Sequence, residues 1–244
     1  MTGPSAVPPV TVLPVGGHGL LVELPTAEAA EALHAELLRR RRTGTLPPVR
    51  EIVPGARTVL LEGLAEPRRL AEELPHWRVP PLSRTGGTAV RIPVRYDGPD
   101  LAEVAALWGL SEQEVGAVHA SAEYRVAFCG FAPGFGYLTV LGAGYEVPRR
   151  ASPRTRVPAG AVGLAGAYTG IYPRSSPGGW QLIGTAVDTV LWDPERTPAA
   201  LLEPGTRVRF EPVDSAGTPI GDSADPDIPD PDIPDTPSGS REPR

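Results

Sequence analysis

The chain has 244 residues, a formal net charge of −6 and no lysine, since all 23 of its basic residues are arginine. The negative charge argues against a general nucleic-acid-binding surface. The lack of lysine excludes a P-loop lysine, a Schiff-base lysine for pyridoxal phosphate and a biotinyl-lysine in this sequence. A bound phosphate or carboxylate must therefore be held by arginine side chains or by backbone N–H groups.

The general composition is that of a globular protein, because hydrophobic residues make up 41% of the chain. This is enough to bury the cores of two modest domains. The single cysteine, Cys129, allows no intrachain disulfide. The first residues lack the basic and apolar regions of a signal peptide, and no later apolar run is long enough to span a membrane. We therefore expect a cytoplasmic protein.

Residues 10–83 are predicted to form a small α+β domain, after a flexible N-terminus at residues 1–9. Thr26 is a suitable N-cap for an amphipathic helix that runs to Arg42, whose last turn carries positive charge that complements the helix dipole. A polar, glycine-containing segment at 82–88 is the predicted domain boundary. The other predicted elements of this domain are strands at 10–13, 19–24, 49–53 and 58–62 and a helix at 67–74.

Residues 89–213 have a different pattern, in which two short helices are followed by many short apolar runs. The helices are predicted at 100–108 and 111–121, and Ser111 with Glu114 forms a capping box for the second. Glycine and proline then interrupt the chain every few residues, which favours a β-barrel or a sandwich of short strands. The clearest strands are predicted at 90–94, 123–128, 162–165, 180–184, 189–192 and 207–210.

The last residues, 214–244, include the near-repeat DPDIPDPDIPD and have little to bury. This composition predicts a disordered, acidic Pro/Asp tail. Taken with the two regions before it, the pattern predicts an α+β fold that is mostly β, with the α+β domain first and the barrel or sandwich second.

The densest group of candidate site residues begins with the segment GFAPGFGYL. Gly130, Gly134 and Gly136 permit backbone conformations that other residues resist, and Pro133 stiffens the turn. Phe131, Phe135 and Tyr137 are spaced so that a rigid loop could present aromatic faces to a substrate or a nucleotide. The same loop could equally be a structural turn.

The next segment, PRRASPRTRVPAG, carries four arginines on a proline-braced stretch. Proline rigidity reduces the entropy that is lost when a guanidinium group is held in place, so the stretch is suited to binding phosphate or carboxylate. The alternative is that some of these arginines pair with Asp or Glu across the barrel. Arg154 is the candidate catalytic residue, and Arg149, Arg150 and Arg156 are candidate substrate or nucleotide contacts.

The third segment, AGAYTGIYPRSSPGGWQLIG, offers hydroxyl groups beside glycines and a Gly-Gly pair before a tryptophan. Backbone N–H groups at such a pair can bind an anion or stabilise an oxyanion. The pair could also be only a tight turn before a strand. The candidate substrate or nucleotide contacts here are Thr169, Tyr172, Ser176, Gly178, Gly179 and Trp180.

Histidine and cysteine give weaker signals. The four histidines do not have the spacing of metal ligands, so no metal site is predicted. His119 precedes the glycine-rich loop at the end of a predicted helix, and it is either a catalytic acid or base or a half-buried structural residue. Cys129 lies directly before the same loop and is more typical of a packed small residue than of a nucleophile.

These three segments, in this order, resemble the KipI / allophanate hydrolase subunit 1 family, whose members include the B-type component of prokaryotic 5-oxoprolinase. The resemblance also takes in YDGPDLAEVA, residues 119–124 and PGTRVRF, and it covers residues 10–213. It implies an N-terminal α+β domain followed by a cyclophilin-like β-barrel. It further implies a subunit, inactive alone, of an enzyme that uses ATP and magnesium to convert 5-oxo-L-proline to L-glutamate.

The resemblance also implies two partners, a C-type subunit like KipA / allophanate hydrolase subunit 2 and an A-type subunit of the LamB/YcsF kind. Two other functions stay open at this point. One is a histidine-kinase inhibitor, and the other is a carboxyltransferase-like part of urea or amide metabolism. A cyclophilin-like barrel does not by itself indicate a prolyl isomerase, because fold does not determine function.

Overall fold

Within residues 10–82, 89–140 and 145–220, which the computed structural model describes, the chain forms a four-stranded antiparallel sheet, a closed seven-stranded barrel and a two-stranded ribbon. The predicted fold class, α+β and mostly β, is confirmed. The closed barrel also decides between the barrel and the sandwich that the strand pattern left open. No helix in this part of the chain is long and apolar enough to cross a membrane.

The N-terminal unit consists of β1 (Thr11–Val15), β2 (Gly19–Glu23), α1 (Ala27–Arg42), β3 (Glu51–Pro54), β4 (Thr58–Glu62), α2 (Pro67–Glu73) and a one-turn 3₁₀ helix (Leu74–His76). Its strands are ordered β1–β2–β4–β3. Helix α1 begins where the sequence predicts, because the Thr26 hydroxyl accepts a hydrogen bond from the Ala29 N–H at 3.1 Å. Its buried residues Leu33 and Leu37 join the core of this sheet.

The barrel unit consists of β5 (Ala89–Arg95), α3 (Leu101–Trp108), α4 (Glu112–Ser121), β6 (Glu123–Cys129), β7 (Gly136–Val140), β9 (Ala161–Ala165), β10 (Tyr168–Ile171), β12 (Gln181–Ala186) and β13 (Arg207–Pro212), and the ribbon pairs β8 (Arg154–Val157) with β11 (Ser176–Gly178). The barrel closes in the order β10–β7–β6–β13–β5–β12–β9. Along β5, Val90, Ile92 and Val94 are buried and alternate with partly exposed residues, as expected for a strand with one face in a core.

Helices α3 and α4 pack on the barrel and add Leu101, Val104 and Val115 to the core formed by inward-facing strand residues. The predicted capping box of α4 is confirmed. The Ser111 hydroxyl accepts from the Glu114 N–H at 3.3 Å, and the Glu114 carboxylate accepts from the Ser111 N–H at 2.7 Å. The capping box fixes where α4 begins.

The strand predictions for the second half of the chain were incomplete. Residues 189–192 form no strand, and Trp192 makes only an isolated bridge with Ala200. Strands β7, β8, β10 and β11 were not predicted. Three of them contain glycine or proline, which are typical of turns, and β8 is a short strand with two arginines. Neighbouring strands supply the hydrogen bonds that stabilise them, so their pairing overrides local preference.

The predicted ends and boundary are described only in part. After β13, residues 214–220 form a turn in which the Asp214 N–H donates to the Thr218 carbonyl at 2.9 Å. The rest of the predicted tail, the predicted flexible N-terminus and all but the first residue of the predicted boundary lie outside the described residues.

Candidate functional site

The outer wall of the barrel carries a cluster of aromatic side chains beside β7, β9, β10 and β12. Alternation along β9 explains its position, since Val162 and Leu164 belong to the barrel core whereas Ala161 and Ala165 belong to this second cluster. The small alanine side chains leave room for large rings. We call these rings the outer aromatic cluster, which consists of Phe135, Tyr137, Tyr172 and Trp180, with Phe131 at its edge.

Phe135 is the centre of the outer aromatic cluster and is only 1% exposed. Its ring centroid lies 5.4 Å from those of Tyr172 and Trp180 and 5.3 Å from that of Phe131, each in edge-to-face geometry. Such pairs contribute about 0.5–1.5 kcal/mol each beyond the burial of their surface. The cluster is therefore a rigid platform rather than a set of loose rings.

The loop before β7 presents Phe131 to solvent. Phe131 is 59% exposed and has a φ of 65°, which is rare for a bulky residue. The loop is closed by a 3.2 Å hydrogen bond from the Gly130 N–H to the Phe135 carbonyl. Gly134 has a φ of 82°, and a Cβ there would lie 3.0 Å from the Leu191 carbonyl oxygen. An exposed aromatic residue held in a strained conformation points to a functional role.

The ribbon of β8 and β11 forms the second wall of the site. Gly178 lies so close to Tyr172 that a Cβ would overlap the phenol hydroxyl. The Gly179 carbonyl accepts a hydrogen bond from the Arg150 N–H at 2.9 Å. Burial raises the pKa of Tyr172, although the Trp180 backbone N–H and nearby arginines oppose the shift. The hydroxyl is therefore protonated at neutral pH, and it is buried behind Gly178.

Two of the four candidate arginines lie in an ion cluster around Asp100. Arg154 donates to both Asp100 carboxylate oxygens, at 2.7 and 2.8 Å, and Arg150 donates to one of them at 2.6 Å. The Leu182 N–H donates to the same carboxylate at 2.7 Å. Burial alone would raise the pKa of Asp100, but these hydrogen bonds and charges outweigh it and hold the pKa below its usual value. The geometry therefore favours the alternative in which Arg150 and Arg154 pair with an acidic residue across the barrel.

The other two candidate arginines are exposed. Arg156 donates from Nε to the Ser175 hydroxyl at 3.1 Å, and within the described residues neither Arg149 nor Arg156 forms an ion pair. Arg149 lines an open cleft of about 570 Å³ together with Glu146 and Tyr168. The cleft is also lined by Ala165, which packs against the outer aromatic cluster. Arg149 and Arg156 are therefore the guanidinium groups that a ligand can reach.

His119 lies in the barrel core rather than at the outer aromatic cluster. Its Nδ1 is 2.8 Å from the Tyr96 hydroxyl, and its Nε2 is 3.1 Å from the Thr169 hydroxyl. The Thr169 hydroxyl donates its single proton to the Gly163 carbonyl at 3.2 Å. The His119 Nε2 must therefore be the donor to Thr169, and the Tyr96 hydroxyl donates to Nδ1.

Burial lowers the pKa of His119 to about 3, so the imidazole is neutral at physiological pH. Its ring packs 4.5 Å from the Phe210 ring and 5.0 Å from the Tyr124 ring, measured between centroids. The residue is 1% exposed. This environment favours a structural role for His119. Thr169 has the same role, because its hydroxyl is hydrogen-bonded to His119.

The remaining candidates divide between the loop, the ribbon and the interior. Ser176 lies on β11, and its hydroxyl is buried without a hydrogen-bond partner among the described residues. Cys129 donates its S–H to the Leu202 carbonyl at 3.1 Å, and burial raises the pKa of the thiol to about 11. That environment is one of a packed, unreactive thiol. The structure brings together Gly130, Phe131, Pro133, Gly134, Phe135, Tyr137, Tyr172, Gly178, Gly179 and Trp180, and Arg149 lines the adjoining cleft.

Sequence reasoning missed Asp100 and Tyr96 as organising residues. Asp100 stands in the segment YDGPD directly before α3, where a carboxylate is typical of a helix cap. It instead makes no side-chain cap and points to the arginine stretch. The signal that could have revealed Asp100 is the group of four arginines at 149–156, which need acidic partners elsewhere in the chain.

A protein-family model described as the carboxyltransferase domain, subdomain C and D, matches residues 10–202. A protein of Escherichia coli O157:H7, named as the B-type component of 5-oxoprolinase, is 46% identical over 184 residues, which cover 70% of this chain and 82% of that protein. A Bacillus subtilis protein with the same name is 48% identical over 124 residues, which cover 50% of this chain and 51% of that protein.

Solved structures agree with this relationship. A crystal structure of TTHA0988 superposes with a TM-score of 0.66 at 38% identity; it covers 81% of this chain, and this chain spans 40% of its length. The Kluyveromyces lactis urea carboxylase shares the fold, with a TM-score of 0.64 at 20% identity over 86% of this chain and 22% of that one. The chain therefore belongs to the family of carboxyltransferase-domain subdomains C and D.

Proposed function

We propose that this chain is the B-type component of a multi-subunit, ATP-dependent 5-oxoprolinase that converts 5-oxo-L-proline to L-glutamate. The observation that carries the proposal is the 46% identity with the E. coli relative of that name. The outer aromatic cluster and the two accessible arginines, Arg149 and Arg156, also support the proposal, because aromatic faces and guanidinium groups suit a ring that bears a carboxylate.

The substrate is a five-membered lactam that bears a carboxylate. In the proposal, the ring methylenes lie against the exposed face of Phe131, and the carboxylate faces Arg149. A planar guanidinium group binds a carboxylate through two parallel hydrogen bonds. The backbone N–H groups before Trp180 are the donors for the lactam carbonyl.

The reaction hydrolyses the lactam C–N bond and, with it, ATP to ADP and phosphate. An unstrained amide is a poor electrophile, and phosphorylation of its carbonyl oxygen would activate the ring carbon toward water. Expulsion of the ring nitrogen would then open the ring to an acyl phosphate, which a second water would hydrolyse to L-glutamate and phosphate. Because Arg149 holds the substrate carboxylate in this proposal, Arg156 is the exposed arginine of the stretch that is left to bind a phosphate group. Their part is to bind and orient, since positioning and electrostatic stabilisation make up most phosphoryl-transfer catalysis.

The proposal includes a C-type partner like KipA / allophanate hydrolase subunit 2 and an A-type partner of the LamB/YcsF kind, in a cytoplasmic complex. It is supported by the relatives' names, which describe one component of a larger enzyme, and by the TTHA0988 chain, of which this chain spans 40%. The side chains of Phe131, Val190 and Trp192 are exposed, and Trp192 lies against Gly134 of the same loop. A partner that covers this apolar edge would complete the site and exclude water.

The experiment is glutamate release from 5-oxo-L-proline with Mg-ATP, measured for this protein alone and then with candidate A-type and C-type partners. We expect activity only in the reconstituted mixture. Arg149→Ala and Arg156→Ala should raise KM at least tenfold there, whereas Arg68→Ala, an exposed arginine on α2, should leave KM unchanged. An assembled mixture without any glutamate release would contradict the proposal.

A second candidate, a part of a urea or amide carboxyltransferase, is favoured by the family description and by the shared fold of urea carboxylase. The same mixture, supplied with a biotin-carboxyl donor and urea instead of 5-oxoproline, discriminates between the two. Tight binding to a histidine-kinase dimerisation domain in the absence of both partners would instead support an inhibitor.

A further inference from the structure

A second cleft lies between helix α1 and barrel strand β6 and shares no residue with the outer aromatic cluster. Its volume is about 350 Å³. Helix α1 contributes Glu31, His34 and, at its end, Arg42, and β6 contributes Arg125. The segment 203–206 closes the third side. The cleft is thus lined by both the N-terminal unit and the barrel.

Arg125 has fewer hydrogen-bond partners than its neighbour Arg207. Arg125 and Arg207 are cross-strand partners on β6 and β13. Arg207 donates to both carboxylate oxygens of Glu123, at 2.9 and 2.8 Å. The Arg125 side chain is only 13% exposed, and its Nε lies 3.9 Å from the Glu31 carboxylate, beyond hydrogen-bond distance.

The Arg125 guanidinium makes no hydrogen bond to any residue within 10–82, 89–140 and 145–220. A guanidinium group has five N–H donors, and those of Arg125 are open to solvent, since none is among the buried side-chain atoms without a partner in the described residues. These donors lie at the wall of a cleft large enough for a small molecule. An acceptor that enters the cleft would therefore gain hydrogen bonds that the protein itself does not supply.

His34 is the second incompletely paired group. It is 8% exposed, lies one turn after Glu31 on the same face of α1, and its imidazole has no hydrogen-bond partner in the described part of the chain. Burial lowers its pKa to about 4, so the ring is neutral and can either donate or accept. Glu31 is itself largely buried, and burial raises its pKa while the charge of Arg125 opposes the shift.

We propose that this cleft binds a small zwitterion of the α-amino acid class, with the ligand carboxylate on Arg125 and its ammonium group on Glu31. The lining contains two carboxylates, Glu31 and Glu203, and two guanidinium groups, Arg42 and Arg125. This balance matches a ligand with no net charge and separated opposite charges. A dicarboxylate would leave the lining carboxylates without a cationic partner. A simple amine would leave the guanidinium groups without an anionic partner. The inference does not depend on the proposed function.

Binding would also connect the two halves of the protein. Glu31 and His34 belong to a helix of the N-terminal unit, whereas Arg125 belongs to the barrel. A ligand that contacts both sides stabilises the folded arrangement by mass action. Its binding is therefore visible both as heat and as a higher temperature of thermal unfolding.

The test is isothermal titration calorimetry on the full chain with L-glutamine and L-alanine as zwitterions and with glutarate and butylamine as single-function controls. We expect both amino acids to bind and both controls to bind at least tenfold more weakly. Arg125→Gln should weaken amino-acid binding about tenfold or more, since a charged hydrogen bond is lost. Arg207→Gln, the matched control on the neighbouring strand, should bind as the wild type does.

Three results would overturn the inference. One is the absence of amino-acid binding at concentrations up to about 10 mM, where even a weak small-ligand site is occupied. Another is equal binding of glutarate and L-alanine. The third is loss of L-alanine binding in Arg149→Ala, because binding would then belong to the outer aromatic cluster. Glu31→Gln serves as the second variant if Arg125→Gln does not fold, and it should weaken L-alanine binding more than glutarate binding.

Discussion

Arg154 donates two hydrogen bonds to Asp100, one to each carboxylate oxygen, and Asp100 is only 3% exposed. The pair joins the β8–β11 ribbon to the residue that precedes α3. It holds in place the arginine-rich stretch from which Arg149 and Arg156 extend. The arginines of this stretch therefore divide into two that stabilise the ribbon and two that a ligand can reach.

Arg154→Ala is expected to lower the free energy of unfolding by about 2 kcal/mol, because it leaves the buried Asp100 carboxylate with fewer partners. Arg150 keeps its hydrogen bond to Asp100 and limits the loss. Urea unfolding followed by circular dichroism measures the change. Arg156→Ala is the control and should stay within about 0.5 kcal/mol of wild type. Equal stability of both variants would show that the ion pair contributes nothing.

Phe131→Asn is expected to reduce glutamate release by the reconstituted complex at least tenfold while it changes stability by less than about 1 kcal/mol. Asparagine tolerates a positive φ, so the loop keeps its conformation, but the aromatic face for the substrate ring is lost. Steady-state kinetics of the complex and thermal unfolding of the variant are the two measurements. Full activity in the assembled complex would show that Phe131 has no role at the site.

Stability is expected to fall as the pH drops below about 6.5, the ordinary pKa of histidine. His119 is neutral in the folded barrel, where burial lowers its pKa to about 3, whereas the unfolded chain takes up a proton near pH 6.5. Because the unfolded state binds more protons in this range, each pH unit removes up to about 1.4 kcal/mol through this residue.

Urea unfolding at several pH values between about 7.5 and 5 measures this dependence, in a range where most carboxylates stay ionised. His119→Gln should be less stable at the upper end and should show a shallower loss. A slope remains in this variant, because burial also lowers the pKa of His34, to about 4. An unchanged slope in His119→Gln would contradict the assignment of a neutral, buried imidazole.

Gly178→Ala is expected to destabilise the protein by about 1–3 kcal/mol, because the added methyl group meets the Tyr172 hydroxyl. The double variant with Tyr172→Phe removes that oxygen and should recover part of the loss. Gly17→Ala is the control, since nothing lies within 4 Å of a Cβ at that position. Thermal unfolding of the four proteins measures the effect, and no recovery in the double variant would rule out this contact as the cause.

Local sequence determined the parts of this protein that depend on neighbours along the chain. The Thr26 cap and the amphipathic stretch to Arg42 predict α1, and Ser111 with Glu114 predicts the start of α4, because caps and helical periodicity act within a few residues. The segment from Gly130 to Tyr137 was identified as a candidate site for the same reason. Its turn residues and aromatic spacing are local properties.

Tertiary structure decided what depends on partners far apart in sequence. Asp100 meets Arg154 across 54 residues, and His119 meets Thr169 across 50, so nothing near either residue shows whether its charge or hydrogen-bonding group is already satisfied. Sequence by itself determined which chemical groups the chain possesses and where its helices begin. Barrel closure determined which of them are buried and paired and which face solvent, because burial and pairing are properties of the assembled core rather than of the chain segment.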